Sequence, residues 1–244
     1  MAYSVVFRDH DKTLEEAEIT AAMKKILNGL TDLGNRAEKL MKLYILRHGK
    51  TEWNRLGKVQ GCVDIPLAEE GISLAAKVGR ALKEVPFDLC FTSPLTRTRQ
   101  TAELVLGERA KQIPVIVDPR IQEINFGVLE GSRFKDENGT ILSEEMKIFF
   151  TDPKNFIRPE KGENISDILK RTEEFWKEIT TAPKLQDKTI LISSHGCAVR
   201  ALLQNIYHDP EDFWHGCVPP NCSINVVEVK DGQEILIEED KLYA

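Results

Sequence analysis

The fold of this chain is decided by residues 42–54, which read KLYILRHGKTEWN. The apolar run from Leu43 to Leu46 predicts a buried strand. Arg47 and His48 follow this strand directly, and Gly49 opens a loop. Open α/β sheets bind their ligands at the carboxyl ends of strands, so a guanidinium beside an imidazole here indicates a site. The alternative is a strand that merely ends in two polar residues.

A second stretch near the other end of the chain repeats this design. Residues 189–193, TILIS, predict a buried strand that leads to His195 and Gly196, and a helical pattern follows. Between the two stretches the patterns predict a helix, a strand, a helix and a strand, and further helices follow. Residues 224–229 and 234–237 predict a hairpin. This order predicts an α/β fold, a three-layer α/β/α sandwich with a mostly parallel central sheet and helices on both faces.

Composition and charge exclude several classes of protein. The chain has 244 residues, a net charge of −6 and five scattered cysteines. We therefore expect no nucleic-acid partner, no membrane partner and a cytoplasmic location with reduced thiols. The spacing of Cys217, Cys222 and His215 lacks a second ligand pair, so no metal is expected. Any anionic substrate must be held by a local cluster of cations.

The block Arg47-His48-Gly49-x-Thr51-x-Trp53-Asn54 resembles the signature of the histidine phosphatase superfamily, also called phosphoglycerate mutase-like. Further blocks resemble the same family in the expected order: residues 93–103, 122–131 and 193–196. The resemblance covers residues 41 to 238. It implies a metal-independent enzyme without a cofactor, in which several fixed cations surround a phosphoryl group.

The resemblance also implies a role for individual residues. His48 is the expected nucleophile, which forms a phosphohistidine, and Glu123 is the expected general acid and base. The expected phosphate-binding and substrate-binding residues are Arg47, Asn54, Gln60, Gly61, Arg97 and His195. Glu130 is interpreted as structural, and Phe149, Phe150 and Phe156 as core or pocket wall. A buried core histidine and a solvated loop carboxylate are the alternatives for His48 and Glu123.

The branch of the family is harder to assign from the sequence. The mutases carry an Arg-rich insertion and an Arg-His-Tyr-Gly block, whereas this chain has Ile124-Asn125-Phe126-Gly127. Residues 132–165 resemble the small bacterial phosphatases. We therefore expect hydrolysis of a small phosphorylated metabolite, with 2,3-bisphosphoglycerate-dependent phosphoglycerate mutase as the first alternative and a non-catalytic binding protein as the second. A homodimer is compatible with the sequence.

Residues 1–40 precede the expected catalytic domain, residues 41–244. Residues 3–7 predict a strand, and Thr13 is a candidate cap for a helix that is broken near Gly29 and Gly34. This strand-helix appendage resembles the C-terminal end of bacterial phenylalanyl-tRNA synthetase β chains, part of a ferredoxin-like anticodon-binding domain. Its 6 Lys and Arg against 7 Asp and Glu provide no basic patch for tRNA, so a fused or inherited fragment is expected. A helix that packs on the catalytic domain or a partner is the alternative.

Overall fold

The computed structural model describes residues 16–34, 39–207, 209 and 212–243. The chain forms two compact units, residues 1–39 and residues 40–244. In the first unit, helix α1 spans Glu16–Gly34. It is continuous through Gly29, so the predicted break there is wrong, because one glycine costs a helix only about 1 kcal/mol. The predicted strand at residues 3–7 and the cap at Thr13 lie outside the described residues.

The second unit is built on one sheet of six strands in the order β3-β2-β4-β1-β5-β6. β1, β2, β3 and β4 are parallel, and β5 is antiparallel to both of its neighbours. The mostly parallel sheet predicted from the sequence is therefore confirmed. The strands are β1 Leu40–Arg47, β2 Leu89–Thr92, β3 Val115–Val117, β4 Thr189–Ser194, β5 Ile224–Lys230 and β6 Gln233–Lys241.

Helices cover both faces of this sheet, as predicted. Alternate residues of β1 point to opposite faces, so that Ile45 joins a core with Phe175 and Val199 while Leu46 joins a core with Val78 and Val105. The two cores make the unit a three-layer sandwich. The helices of this unit are α2 Glu52–Arg55, α3 Glu69–Ala81, α4 Thr96–Leu106, α5 Glu144–Thr151, α6 Ile165–Thr181 and α7 Gly196–Leu203. No described helix has the length and apolar character needed to cross a membrane.

The register of β1 against β4 brings the two predicted histidines to one edge of the sheet. Arg47 pairs with Ser194, and the next residue, His48, donates its backbone N–H to the Ser194 carbonyl at 2.9 Å. β2 lies on the other side of β4, with Thr92 opposite Ser193. The carboxyl ends of three neighbouring parallel strands therefore meet at one place, where sheets of this kind bind ligands.

A buried arginine fastens the C-terminal strand to α7. The Arg200 side chain is fully buried, and its guanidinium donates to the Cys217 carbonyl at 2.9 and 3.1 Å. It also forms ion pairs with Glu239 at 3.1 Å and Asp240 at 2.5 Å. A buried charge is tolerated only when it is paired and hydrogen-bonded in this way.

Replacing Arg200 with methionine leaves the partly buried Asp240 without its cation. We expect the free energy of unfolding, measured by urea denaturation, to fall by about 3 kcal/mol. Lys147→Met is the matched control, because Lys147 pairs with Glu144 on the surface and is half exposed. Equal stability of the two variants would show that the Arg200 network does not hold the domain together.

Candidate active site

The two predicted histidines lie side by side in the interior of the protein. The His48 side chain is 2% exposed and that of His195 is fully buried. Their ring centroids are 5.2 Å apart, at an interplanar angle of 64°. The sequence pattern predicts that each histidine follows a buried strand, and in the structure both lie at the same edge of the sheet.

The hydrogen bonding of His48 determines which of its nitrogens is free. Nδ1 lies 2.7 Å from the carbonyl oxygen of Gly49, so Nδ1 carries the proton and donates it. Nε2 makes no hydrogen bond within the described part of the chain. Burial lowers the pKa of His48 well below its ordinary value, and the charges of Arg97 and Arg47 lower it further. His48 is thus a neutral imidazole with a free lone pair on Nε2.

His195 is held by two neighbours in the opposite tautomer. Arg97 donates from Nε to His195 Nδ1 at 3.2 Å, so the proton of this ring is on Nε2. That nitrogen donates to Ser93 Oγ at 2.8 Å. Burial lowers the pKa of His195 well below its ordinary value, with Arg97 as the second cause. Ser93 was not identified as a site residue from the sequence, although it lies in the block that carries Arg97.

Arg97 is the second residue of α4 and is fully buried. Its Nη1 donates to the Val63 carbonyl at 2.9 Å, and its Nη2 donates to the Gly61 carbonyl at 2.6 Å. Burial lowers the pKa of Arg97 to about 10, which still leaves it charged at neutral pH. The guanidinium is therefore fixed in one orientation by the loop that contains Gly61.

Gly61 is required by the close approach of two chain segments. A Cβ atom at this position would lie 2.4 Å from the Ile124 carbonyl oxygen and 2.6 Å from Glu130 Oε1. Glu130 accepts from the backbone N–H groups of Cys62 at 2.7 Å and Val63 at 2.6 Å. This carboxylate thus holds the loop that orients Arg97, which agrees with the structural role inferred for it.

Glu123 lies in the loop between two short 3₁₀ turns, Pro119–Ile121 and Gly127–Leu129. Its carboxylate is 7% exposed and accepts from the amides of Ile124 at 3.0 Å, Cys197 at 3.1 Å and Ala198 at 3.1 Å. The last two amides belong to the first turn of α7, where a negative charge is favoured. Burial nevertheless raises the pKa of Glu123 above its ordinary value, against the opposing effect of these amides.

Arg171 positions Glu123 and was missed by the sequence analysis. It donates to the carbonyls of Arg120 at 2.7 Å, Gln122 at 2.7 Å and Glu123 at 3.0 Å, and it also binds the Glu163 carboxylate. Its three carbonyl partners lie 48 to 51 residues earlier in the chain. The periodic pattern of α6 carries no signal for such contacts.

Asn54 closes the capping box of α2 with Thr51. Its Oδ1 accepts from the Thr51 N–H at 3.1 Å, and Gln60 Oε1 lies 2.5 Å from Thr51 Oγ1. Asn221, which the sequence analysis also missed, donates to the His48 carbonyl at 3.0 Å. These polar side chains fix the loop that follows the nucleophile candidate.

Arg47 lines a cavity of about 240 Å³. It donates from Nη1 to the Pro219 carbonyl, whereas its buried Nε has no partner among the described residues. Burial lowers the pKa of Arg47, and the nearby Glu123 opposes this effect. An unpaired buried N–H is costly, so this atom is poised to bind a polar group.

The lining of this cavity consists of polar and apolar side chains, the latter called its apolar part below. Of the predicted residues, Arg47, Asn54, Gln60 and Glu123 line it, whereas His48, Arg97 and His195 do not. The apolar part is formed by Phe126, Phe134, Met146, Phe149, Phe150, Trp214 and Val218. Of the three phenylalanines predicted as core or pocket wall, Phe156 belongs to the core behind this cavity. No group of three metal-ligating side chains occurs in the described ranges.

The chain resembles known proteins in sequence and in fold. The chain is 32% identical over 205 residues to the 2,3-bisphosphoglycerate-dependent phosphoglycerate mutase of Chlamydia abortus, which covers 73% of this chain and 89% of the relative. The structure of Bacillus stearothermophilus YhfR superposes with a TM-score of 0.73 at 30% identity, covering 82% of this chain and 97% of that one.

A structure of phosphoserine phosphatase from Entamoeba histolytica, in complex with 3-phosphoglyceric acid, superposes with a TM-score of 0.66 at 29% identity. It covers 81% of this chain and 95% of that one. The profile of the histidine phosphatase superfamily (branch 1) matches residues 43–239. Phosphatases and mutases thus both occur among the proteins that this chain resembles, and the chain belongs to the histidine phosphatase superfamily.

Proposed function

We propose that this protein hydrolyses small phosphomonoesters through a phosphohistidine on His48. The observation that carries the proposal is the state of the His48 ring, which is neutral, has Nδ1 committed to the Gly49 carbonyl and has Nε2 free. A nitrogen nucleophile must be unprotonated and correctly oriented, and this hydrogen bond meets both requirements. Two arginines accompany it and supply the positive charge that a phosphoryl group requires.

In the first step, His48 Nε2 attacks phosphorus in line with the ester oxygen. The N–P bond forms as the P–O bond to the alcohol breaks, and Glu123 gives its proton to the departing oxygen. Arg47, through its unpaired Nε, and Arg97 and Asn54, through their remaining N–H groups, bind the phosphoryl oxygens. His195, whose Nδ1 accepts from Arg97 and whose Nε2 donates to Ser93, orients the Arg97 guanidinium for these contacts.

In the second step, the Glu123 carboxylate takes a proton from water as the water oxygen attacks the phosphohistidine. The N–P bond breaks, inorganic phosphate leaves, and His48 and Glu123 return to their starting protonation states. Burial raises the pKa of Glu123, which suits a group that gives a proton in one step and takes one in the next. Arg171 and Glu130 act as positioning residues for Glu123 and Arg97.

A mutase is the second candidate, because the Chlamydia abortus relative bears that name. A mutase must hold a second anionic group of its substrate at the far end of the site. In this chain the cavity is lined mainly by apolar side chains, and besides Arg47 its cations among the described lining residues are Lys58 and Lys135. Lys58 and Lys135 are the candidate partners for that second anionic group, and the mainly apolar character of the remaining lining is the reason that hydrolysis is proposed first. The resemblance of residues 1–40 to a synthetase fragment stays a prediction, and we propose that hydrolysis does not require this segment.

Replacing His48 with alanine removes the proposed nucleophile. Phosphate release from a panel of phosphomonoesters should fall by roughly 10³-fold or more. His215→Asn is the matched control, because His215 does not line the cavity and its positive φ of 46° is tolerated by asparagine. EDTA should leave the wild-type rate unchanged. Retained activity in His48→Ala, or conversion of 3-phosphoglycerate without phosphate release, would contradict the proposal.

Glu123→Gln should separate the two chemical steps. p-Nitrophenolate leaves without needing a proton, so p-nitrophenyl phosphate should give a burst of about one nitrophenol per enzyme. The turnover that follows should be slower by about 10²- to 10⁴-fold, because glutamine cannot activate water. Glu174→Gln, on the exposed side of α6, is the control and should behave as wild type. Steady turnover of Glu123→Gln at the wild-type rate, with no burst, would eliminate Glu123 as the base.

The pH dependence of propyl phosphate hydrolysis should follow the shifted pKa values. Because His48 has a pKa well below about 6.5, it stays unprotonated as the pH falls through that value, and kcat/KM should not drop there. Because the pKa of Glu123 is raised, its acid form persists to a higher pH than that of an ordinary glutamate. We therefore expect kcat/KM to decline only as the pH rises above this raised pKa. Glu123→Gln, assayed on the same ester, should lose this alkaline decline. A profile that follows an ordinary histidine would contradict the assignment.

A further inference from the structure

The apolar part of the cavity is lined by aromatic rings that pack on one another. The rings of Phe134 and Phe150 lie with their centroids 5.7 Å apart, tilted by 32°, and Phe150 lies 5.8 Å from Trp214. Phe134 and Phe150 are only half-buried, and both line the cavity. Phe126 and Phe149, which also line the cavity, are 4% and 3% exposed and belong to the core. The wall is thus an aromatic surface supported by a rigid core.

This wall offers no free hydrogen-bonding side chain to a ligand. The one polar atom of its aromatic residues, Trp214 Nε1, donates to the Phe149 carbonyl at 3.0 Å. A sugar or glycerol hydroxyl placed against these rings, out of reach of Lys135 Nζ, would lose its hydrogen bonds to water and gain none, which is unfavourable. An apolar or aromatic group placed there would lose no hydrogen bonds and would bury its surface.

Two lysines border the same cavity without a carboxylate partner among the described residues. Lys135 Nζ lies 5.5 Å from the centroid of the Phe134 ring and 5.8 Å from that of Phe150, and Lys58 Nζ lies 5.6 Å from that of Trp53. Among the described residues, Glu123 is the one carboxylate that lines the cavity. The positive charge of the two lysines attracts the phosphate dianion of any ester, so the lysines do not discriminate between esters of different alcohols.

The volume of the cavity limits the size of the group. An apolar cavity of about 150 Å³ is sufficient for benzene. The cavity of about 240 Å³ therefore accommodates one ring together with part of the chain that connects it to the phosphoryl group. We propose that the preferred substrates are phosphomonoesters of alcohols that carry one ring-sized apolar or aromatic group, bound against Phe134, Phe150 and Trp214. This specificity rests on the proposed hydrolase function.

The test uses the full chain and three esters of primary alcohols: 3-phenylpropyl phosphate, propyl phosphate and glycerol 3-phosphate. The first two have the same kind of leaving oxygen, so their ratio of kcat/KM measures the contribution of the ring. We expect the phenylpropyl ester to exceed the propyl ester by at least about tenfold. Glycerol phosphate should be no better than propyl phosphate.

Substitutions in the aromatic wall then test where the ring of the phenylpropyl ester binds. Phe150→Ala and Phe134→Ala should each reduce the phenylpropyl-to-propyl ratio by about 3- to 10-fold. Lys135→Ala should lower kcat/KM for both esters by a similar factor and leave their ratio unchanged. Ile157→Ala is the control, because Ile157 is 84% exposed and lies outside the cavity lining. Two separate substitutions keep the test valid if one of them impairs folding.

The outcomes separate this inference from the function on which it rests. The inference would be overturned if all three esters were hydrolysed at equal kcat/KM, or if glycerol phosphate were hydrolysed fastest. The proposed hydrolase function would remain in either case. A ring preference that survives both phenylalanine substitutions would also overturn it. No phosphate release from any ester would overturn the hydrolase and the specificity together.

Discussion

The parallel pairing of β1 with β4 is the constraint on which the rest of the site depends. It sets Arg47 beside Ser194, so that the residues after the two strands, His48 and His195, meet at one edge of the sheet. A slip of one residue would turn every side chain of β1 to the opposite face of the sheet. The two apolar cores on either side of β1 oppose such a slip, because each requires alternate residues of this strand. Packing in the interior thus fixes the geometry of the polar edge.

The polar edge concentrates groups that are costly to bury, and each one is stabilised by a specific partner. Arg97 is fully buried and bound to two carbonyls of the loop at residues 61–63, and Glu123 is buried against the amides of α7. The same burial lowers the pKa of His48 and raises that of Glu123. One physical cause therefore moves both groups toward the protonation states that phosphoryl transfer by histidine requires: a neutral nucleophile and a protonated acid.

Much of this arrangement was predictable from local sequence. Continuous apolar runs predicted β1 and β4, and the block around His48 identified the family. The apolar run at residues 113–117 predicts an edge strand, and β3 is shorter, Val115–Val117, because Pro114 has no N–H to donate; only its carbonyl pairs, with Cys90 at 2.9 Å. The roles of the individual site residues stay predictions, although the structure brings them together.

The unpredicted part consists of contacts between distant segments. Arg171 and Asn221 bind backbone carbonyls, and any residue type supplies a carbonyl, so no sequence pattern marks such a pair. The aromatic wall is likewise assembled from residues far apart in the chain, Phe134, Phe150 and Trp214 among them. Periodicity indicated that Phe149 and Phe150 were core or wall, but only the fold shows which cavity they line.

The central claim is that His48 carries the phosphoryl group. The most direct measurement is to mix Glu123→Gln with p-nitrophenyl phosphate, quench in alkali, where phosphohistidine survives, and locate the phosphoryl group by peptide mass spectrometry. The account predicts a phosphoryl group on the peptide containing His48 and on that histidine alone. A phosphoryl group on His195, or none on any residue while nitrophenol is released, would contradict it.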